Sequence, residues 1–307
     1  MAYSVSSLPA YVQENHDLLV KNFALVGNGT RPRISIQTGI KKDAYINIFN
    51  LTPTLQSGVG CGFSANGNAA ITQRTLATAL IKVDLEFCEE DLIGKYAEYL
   101  VKVNAVDKPF PFEQYITDAL ADELNKKIEK LIWQGDKTTH STDADLKWID
   151  GFAHIFSAEG TEVQSAESDH KWETAYDAIV AVYNALPEEV LEQGAEIYVS
   201  PAAFRAFMQK MVQMNYFHYN PGNQEYGEFL LPGTDAKVVR TQGLAGTHLV
   251  MGTFAKNLVY GCDMENDAEK FDVWYSNDNR TWRVQVKWNS GVQVGFPDMC
   301  FYAHIKA

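Results

Sequence analysis

No two of the four cysteines, Cys61, Cys88, Cys262 and Cys300, form a CxxC pair. That spacing excludes a zinc ribbon and, in a reducing compartment, a disulfide framework, so four buried thiols are expected. No apolar run approaches the ~20 residues of a membrane-spanning helix, and the opening MAYSVSSLPAYVQENHD has neither the basic start nor the apolar middle of a signal peptide. Synthesis in the cytoplasm, with no membrane partner, is the expectation. Chemical signatures are missing too. Gly58, Gly60, Gly62 and Gly67 spell neither GxGxxG nor a Walker A loop. The seven histidines include no HxxxH or HExxH, and none has a Cys or carboxylate at a recurrent metal-ligand spacing. DADLKWIDG and DMENDAEKFDVW place Trp148 and Ala268 at the sixth position, where a calcium loop turns on Gly. There is no GxSxG elbow, and Glu188 and Glu189, adjacent on a helix, point away from each other. No catalytic residue, cofactor site or metal ligand is therefore expected.

Positive charge is scarce as well. Lys and Arg total 26 against 39 Asp and Glu, a net charge of −13 that opposes tight binding of phosphates. The bases gather early: residues 1–82 carry seven (Lys21, Arg31, Arg33, Lys41, Lys42, Arg74, Lys82) against three acids (Glu14, Asp17, Asp43), or +4, leaving 19 against 36, or −17, for the rest. A basic first quarter joined to an acidic body can bind nucleic acid, or it can lie on the acidic body of a neighbouring copy. Between Ala44 and Gln73 there is no charged residue at all, and SGVGCGFSANGNAA is rich in Gly, Asn, Ser and Ala. Such a segment is too uncharged for a typical disordered linker and too polar for a core, so it needs a surface to lie on. Ile81, Val83, Leu85 and Phe87 then alternate with Lys82, Asp84 and Glu86 as in a half-buried strand. Together they describe an excursion out along one strand, round a Gly-rich tip and back along another.

What is present is a set of ordinary elements in 307 residues, enough for one or two domains. A short helix is expected over Asp91 to Val103, with KPFPF breaking the chain after it. In PFEQYITDALADELNKKIEKLIWQGD, the residues Ile116, Leu120, Leu124, Ile128 and Leu131 recur every three or four positions, which predicts an amphipathic helix over 113–134 that Gly135 stops. Its acids precede its lysines, an order that suits the helix dipole and offers the pairs Asp122 to Lys126 and Glu123 to Lys127. Trp172, Ala175, Tyr176, Ile179, Val180 and Tyr183 have helical spacing. AEIYVSPAAFRAFMQKMVQ reads as a strand, an N-cap at Ser200, Pro201 in the first turn and a helix. Near the C-terminus, Phe271, Val273 and Tyr275 alternate with polar residues, as do Trp282, Val284, Val286 and Trp288. With turns at NDN and NSG, they predict a three-stranded antiparallel meander covered by the long helix.

That order of a polar arm, an uncharged excursion, a helix ending in WQGD, an α/β unit with IYVSPAAFRAF and a meander after HLVMGTFAKNLVYGCD resembles the major capsid proteins of tailed bacteriophages, whose fold is named after phage Hong Kong 97. The resemblance covers nearly the whole chain. It implies an α+β fold with an N-terminal arm (1–37), an extended loop (38–92), a peripheral domain (93–150 and 255–307) built on the spine helix, and an axial domain (151–254). It implies a structural protein of the virion, not an enzyme, that self-assembles in the host cytoplasm as homo-hexamers and homo-pentamers. These would form an icosahedral shell around double-stranded DNA, without sequence-specific contacts. A scaffolding protein is expected as a separate polypeptide, because the chain starts at Met1 with no strongly helical leader; portal and decoration proteins are further expected partners. At the interfaces, Arg31, Arg33, Lys41 and Lys42 are expected to meet Glu89, Glu90, Asp91, Asp263, Glu265 or Asp267 of adjacent copies. Some members of the family cross-link a loop lysine to an asparagine of a neighbour, but residues 44–73 hold no lysine, so a non-covalent shell is expected. An encapsulin-like compartment for protein cargo shares the fold. An α/β enzyme and a tail or decoration component are the alternatives from other classes.

Overall fold

Two sheets and a hairpin organise the residues that the computed structural model describes, namely 29–40, 42–55, 67–88, 112–214, 227–263, 270–279 and 281–306. The helix expected over 91–103 lies outside them. Helix α1 (Phe112–Gln134) follows its apolar periodicity: Leu124, Ile128 and Leu131 are 3%, 1% and 3% exposed, and Ile132 and Trp133 widen the buried face at its end. The stop at Gly135 is a backbone crossing. Gly151 N–H donates to the Gly135 carbonyl at 2.7 Å, and a Cβ on Gly135 would sit 2.5 Å from the carbonyl oxygen of Ile149. The surface charges pair differently from the i,i+4 expectation. Lys126 reaches Glu123 at 3.3 Å, one turn back, and Lys127 reaches Asp145 at 2.9 Å in the turn region that follows the helix.

A six-stranded sheet forms the middle of the chain, in the order β5 (Thr161–Glu162), β13 (Phe301–His304), β9 (Leu249–Phe254), β6 (Ala195–Val199), β8 (Lys237–Arg240) and β7 (Glu228–Leu230). Its strands feed two cores because side chains alternate across a sheet. Ile197, Val199, Val238, Val250 and Ala303 join one apolar cluster with helices α3 (Ala175–Ala185) and α5 (Pro201–Gln213). Tyr198, Val239, Met251 and Tyr302 join the other, with α1 and α2 (Phe152–Glu159). Ser200 caps α5 as expected, its hydroxyl accepting from Ala203 N–H, and a short helix α4 (Glu188–Glu192) precedes β6. Trp172 lies before α3, bridged to Ile305 and donating its indole N–H to the Val163 carbonyl at 2.9 Å. The last strand, β13, lies beyond the expected meander and pairs antiparallel with β9 in this sheet.

The second sheet gathers strands from both ends of the chain: β1 (Ser35–Gln37), β10 (Leu258–Gly261), β12 (Thr281–Val294), β11 (Lys270–Ser276) and β4 (Ala79–Cys88). Strands β11 and β12 form the expected hairpin, and Trp282, Val284, Val286 and Trp288 are buried in the cluster that also holds the stripe of α1. The expected turn at NSG is absent. Asn289, Ser290 and Gly291 lie inside one continuous strand, which passes from pairing with β4 to pairing with β10. Strand β4 has the alternation read from its sequence, with Ile81 buried and Lys82, Asp84 and Glu86 exposed. Before it, β2 (Asp43–Pro53) and β3 (Gly67–Ala77) pair antiparallel over their full eleven residues.

Candidate assembly surfaces

The basic first quarter enters the structure as a turn. Arg33 N–H and Ile34 N–H donate to the Thr30 carbonyl, and the turn presses its polar groups onto α1. Thr30 donates to the Glu129 carboxylate from its backbone N–H at 3.1 Å and from its hydroxyl, while the Trp133 indole donates to that hydroxyl at 2.6 Å. Burial pushes the Glu129 carboxyl up; the Thr30 hydrogen bonds and the nearby Arg31 charge draw it back. Arg31 is 0% exposed and donates to Asn125 Oδ1 at 2.7 Å. Arg33 pairs with Glu228 of β7 and, at 3.5 Å, with Glu196 of β6, whose carboxylate also accepts from the Tyr198 hydroxyl at 2.6 Å. Both arginines therefore have partners in their own chain, where the sequence assigned acids of adjacent copies. The physical reason is burial: a guanidinium this close to the core needs acceptors supplied by the same fold.

The other residues assigned to interfaces divide. Lys42 is exposed at the base of the β2–β3 hairpin, and its carbonyl accepts from the Thr78 backbone N–H at 2.9 Å and hydroxyl at 2.8 Å. Asp263 is buried, and so cannot greet a neighbour from the surface. Lys41, Glu89, Glu90, Asp91, Glu265 and Asp267 lie outside the described residues.

The uncharged excursion contributes a surface of its own, the outer face of the β2–β3 hairpin. Tyr45, Asn47 and Phe49 share one face of β2, and the register sets them opposite Thr75, Gln73 and Ile71. Tyr45, Phe49 and Ile71 are 64%, 61% and 64% exposed, and Gln73 donates to Asn47 Oδ1 at 2.9 Å between them. An uncharged face carrying three large apolar side chains costs solvation unless something covers it. The absence of charge signalled this surface; which side chains compose it follows only from the strand register.

Among the described residues, two buried groups that could do chemistry are held in their protonated forms. Burial pushes the Cys300 thiol up to about 12 and the Tyr198 hydroxyl well above its usual range, so neither is a ready nucleophile at neutral pH. Cys262 is buried as expected, whereas Cys88 is exposed at the end of β4, against the expectation of four buried thiols; Cys61 lies outside the described residues. The fold does bring Asp136, Asp150 and His154 within 4.8 Å, a grouping their sequence spacing did not reveal. Lys137 already faces Asp150 at 3.5 Å, and Asp136 accepts from Thr138 and Thr139 N–H and meets His154 Nδ1 at 3.1 Å, so the cluster reads as a charge-compensated turn. Among the described residues, no helix is long and apolar enough to cross a membrane.

No protein-family model and no curated protein matches the sequence. Solved structures do match. A chain of the satellite phage P4 procapsid, which includes the size determination protein Sid, aligns with a TM-score of 0.60 at 11% identity over 96% of this chain and 100% of that one. The capsid of the native GTA particle gives 0.59 at 12% identity over 91% and 90% of the two chains. The virus-like particle from Pyrococcus furiosus gives 0.50 at 9% identity over 95% and 98%. At these identities the likeness is one of fold, and it runs almost from end to end: the protein has the fold of the phage capsid proteins.

Proposed function

We propose that the chain is the major capsid protein of a tailed phage, assembling as homo-hexamers and homo-pentamers into an icosahedral shell that encloses double-stranded DNA. The observation that carries this reading is the alignment over 96% of this chain and all of the P4 procapsid chain, because a shell protein's function resides in its overall shape more than in any one site. On this reading, α1 is the spine that joins the two sheets, and the β2–β3 hairpin is the extended loop lying across an adjacent copy, which covers Tyr45, Phe49 and Ile71. Lys42 at its base, together with Lys41, Glu89, Glu90, Asp91, Glu265 and Asp267, remains among the proposed polar contacts between copies. The net charge of −13 suits containment of DNA without sequence-specific grip. The role is structural, with scaffolding, portal and decoration proteins as separate partners.

The test is microscopy of the purified full chain, alone and co-expressed with neighbouring genes of its source. Closed shells of uniform diameter are expected; a soluble monomer that never closes into shells, or tubes in their place, would overturn the reading. A second reading, a protein compartment of the same fold, is favoured by the likeness to the Pyrococcus furiosus particle. The contents of the particles separate the two: packaged DNA supports the first, and a defined protein cargo without DNA supports the second.

A further inference from the structure

The hairpin leaves the body through a small polar clasp. Arg74 of β3 sits opposite Ile46 of β2, just above the point where the hairpin joins the second sheet. Its Nη2 donates to the carboxylate of Glu159, the last residue of α2, and to Gln293 Oε1 of β12 at 3.1 Å. Gln293 in turn donates from Nε2 to the Thr75 carbonyl at 3.0 Å, so the same side chain holds two successive residues of β3. Glu159 stands where a helix disfavours an acid, at the negative end of the dipole, and a cation from another element offsets that placement. Beneath the clasp, Leu76 is fully buried with Ile40 and Val259, and Gly261 and Gly291 have no room for a Cβ beside Leu76 and the Ala77 carbonyl. The apolar plug fixes the hairpin's base, but a plug at a single level leaves rotation about it open. The clasp closes that freedom from one side.

We propose that Arg74 is the positioning residue that sets the angle at which the hairpin leaves the body, acting through Glu159 and Gln293. Resting on the function proposed above, this angle selects the surface of the neighbouring copy on which Tyr45, Phe49 and Ile71 land. The polar partners of Arg74 in the clasp, Glu159 and Gln293, belong to its own chain. Its effect is geometric, which separates it from an ordinary interface residue.

The experiment measures the angle directly. In the full chain carrying Cys61→Ser and Cys88→Ser, nitroxide labels are placed at Leu55→Cys on the hairpin and Gln209→Cys on α5, and the labelled chain is diluted with unlabelled chain so that only distances within one copy are read. The parent should give one narrow distance. Arg74→Glu should broaden or displace it, and the exchange Arg74→Glu with Glu159→Arg should restore it, whereas a residue that merely contributes to folding would not be rescued by the swap. An unchanged distance in Arg74→Glu, at an unchanged far-ultraviolet spectrum, would overturn the proposal, as would a displaced distance that the swap fails to restore. Particle formation is read in parallel: if the parent forms no shells, the proposed function falls while the distances still decide the role of Arg74.

Discussion

Arg31 shows how a residue's setting reverses its expected role. Read as a surface base that greets a neighbour, it is instead fully buried beside Glu129 and Asn125. Removing one member of a buried charged set leaves the other without compensation, so Arg31→Met should cost about 3–5 kcal/mol of folding stability. The loss should shrink as pH falls and Glu129 takes up a proton. Urea unfolding across pH measures both, and a loss no larger than that of an exposed pair, about 0.2–1 kcal/mol, would contradict the burial. Asp136 gives a separate acid response. Burial raises its carboxyl, but the Thr139 and Thr138 N–H groups and the His154 imidazole outweigh that and hold it at about 2 against an ordinary 3.8. A depressed acid stabilises the fold fully above its unfolded value, and the contribution is lost as pH falls from 3.8 towards 2. Asp136→Asn should remove that part of the acid sensitivity, seen as a flatter dependence of the unfolding midpoint over this window.

Helix α1 was legible because its stripe obeys a 3.6-residue period over many turns, and burial follows it at Leu124, Ile128 and Leu131. Leu124→Ala and Ile128→Ala should each cost about 2–5 kcal/mol, as a cavity in a shared core does. Lys127→Ala should change stability by less than about 1 kcal/mol, since its partner Asp145 is also exposed. Thermal or chemical denaturation of the three variants checks the contrast. Strand β12 is the counter-case. NSG reads locally as a turn, yet a Cβ on Gly291 would come 2.4 Å from the Ala77 carbonyl, so the small residue serves a close crossing with the hairpin root. A glycine chosen for proximity and one chosen for a turn look alike in sequence. The hairpin itself should be separable: replacing residues 44–73 with a short Gly-Ser linker is expected to leave a cooperatively folding body that no longer forms shells. Regular closed particles from that variant would remove the hairpin from the assembly mechanism.

Among the described residues, two sheets share one core along α1, with a hairpin presenting an uncharged face outward. If shells form through that face, they are held without covalent links of the lysine type, because residues 44–73 offer no amine and Lys42 sits at the hairpin's base. Particles boiled in detergent should run as a single band near 34.4 kDa. A ladder of linked multimers would refute this.

Local periodicity and capping chemistry sufficed for α1, α3, α5, β4 and the β11–β12 pair, because each pattern is written over residues close in the chain. The uncharged stretch 44–73 was likewise enough to announce an element without a core of its own. Only the tertiary structure decided where Arg31, Arg33 and Asp263 lie, that β13 returns to the six-stranded sheet, and that Arg74 meets Glu159 and Gln293. Each of these rests on pairing between segments far apart in sequence, where strand register and the desolvation of charge are set by the assembled core and leave no periodic trace in the chain.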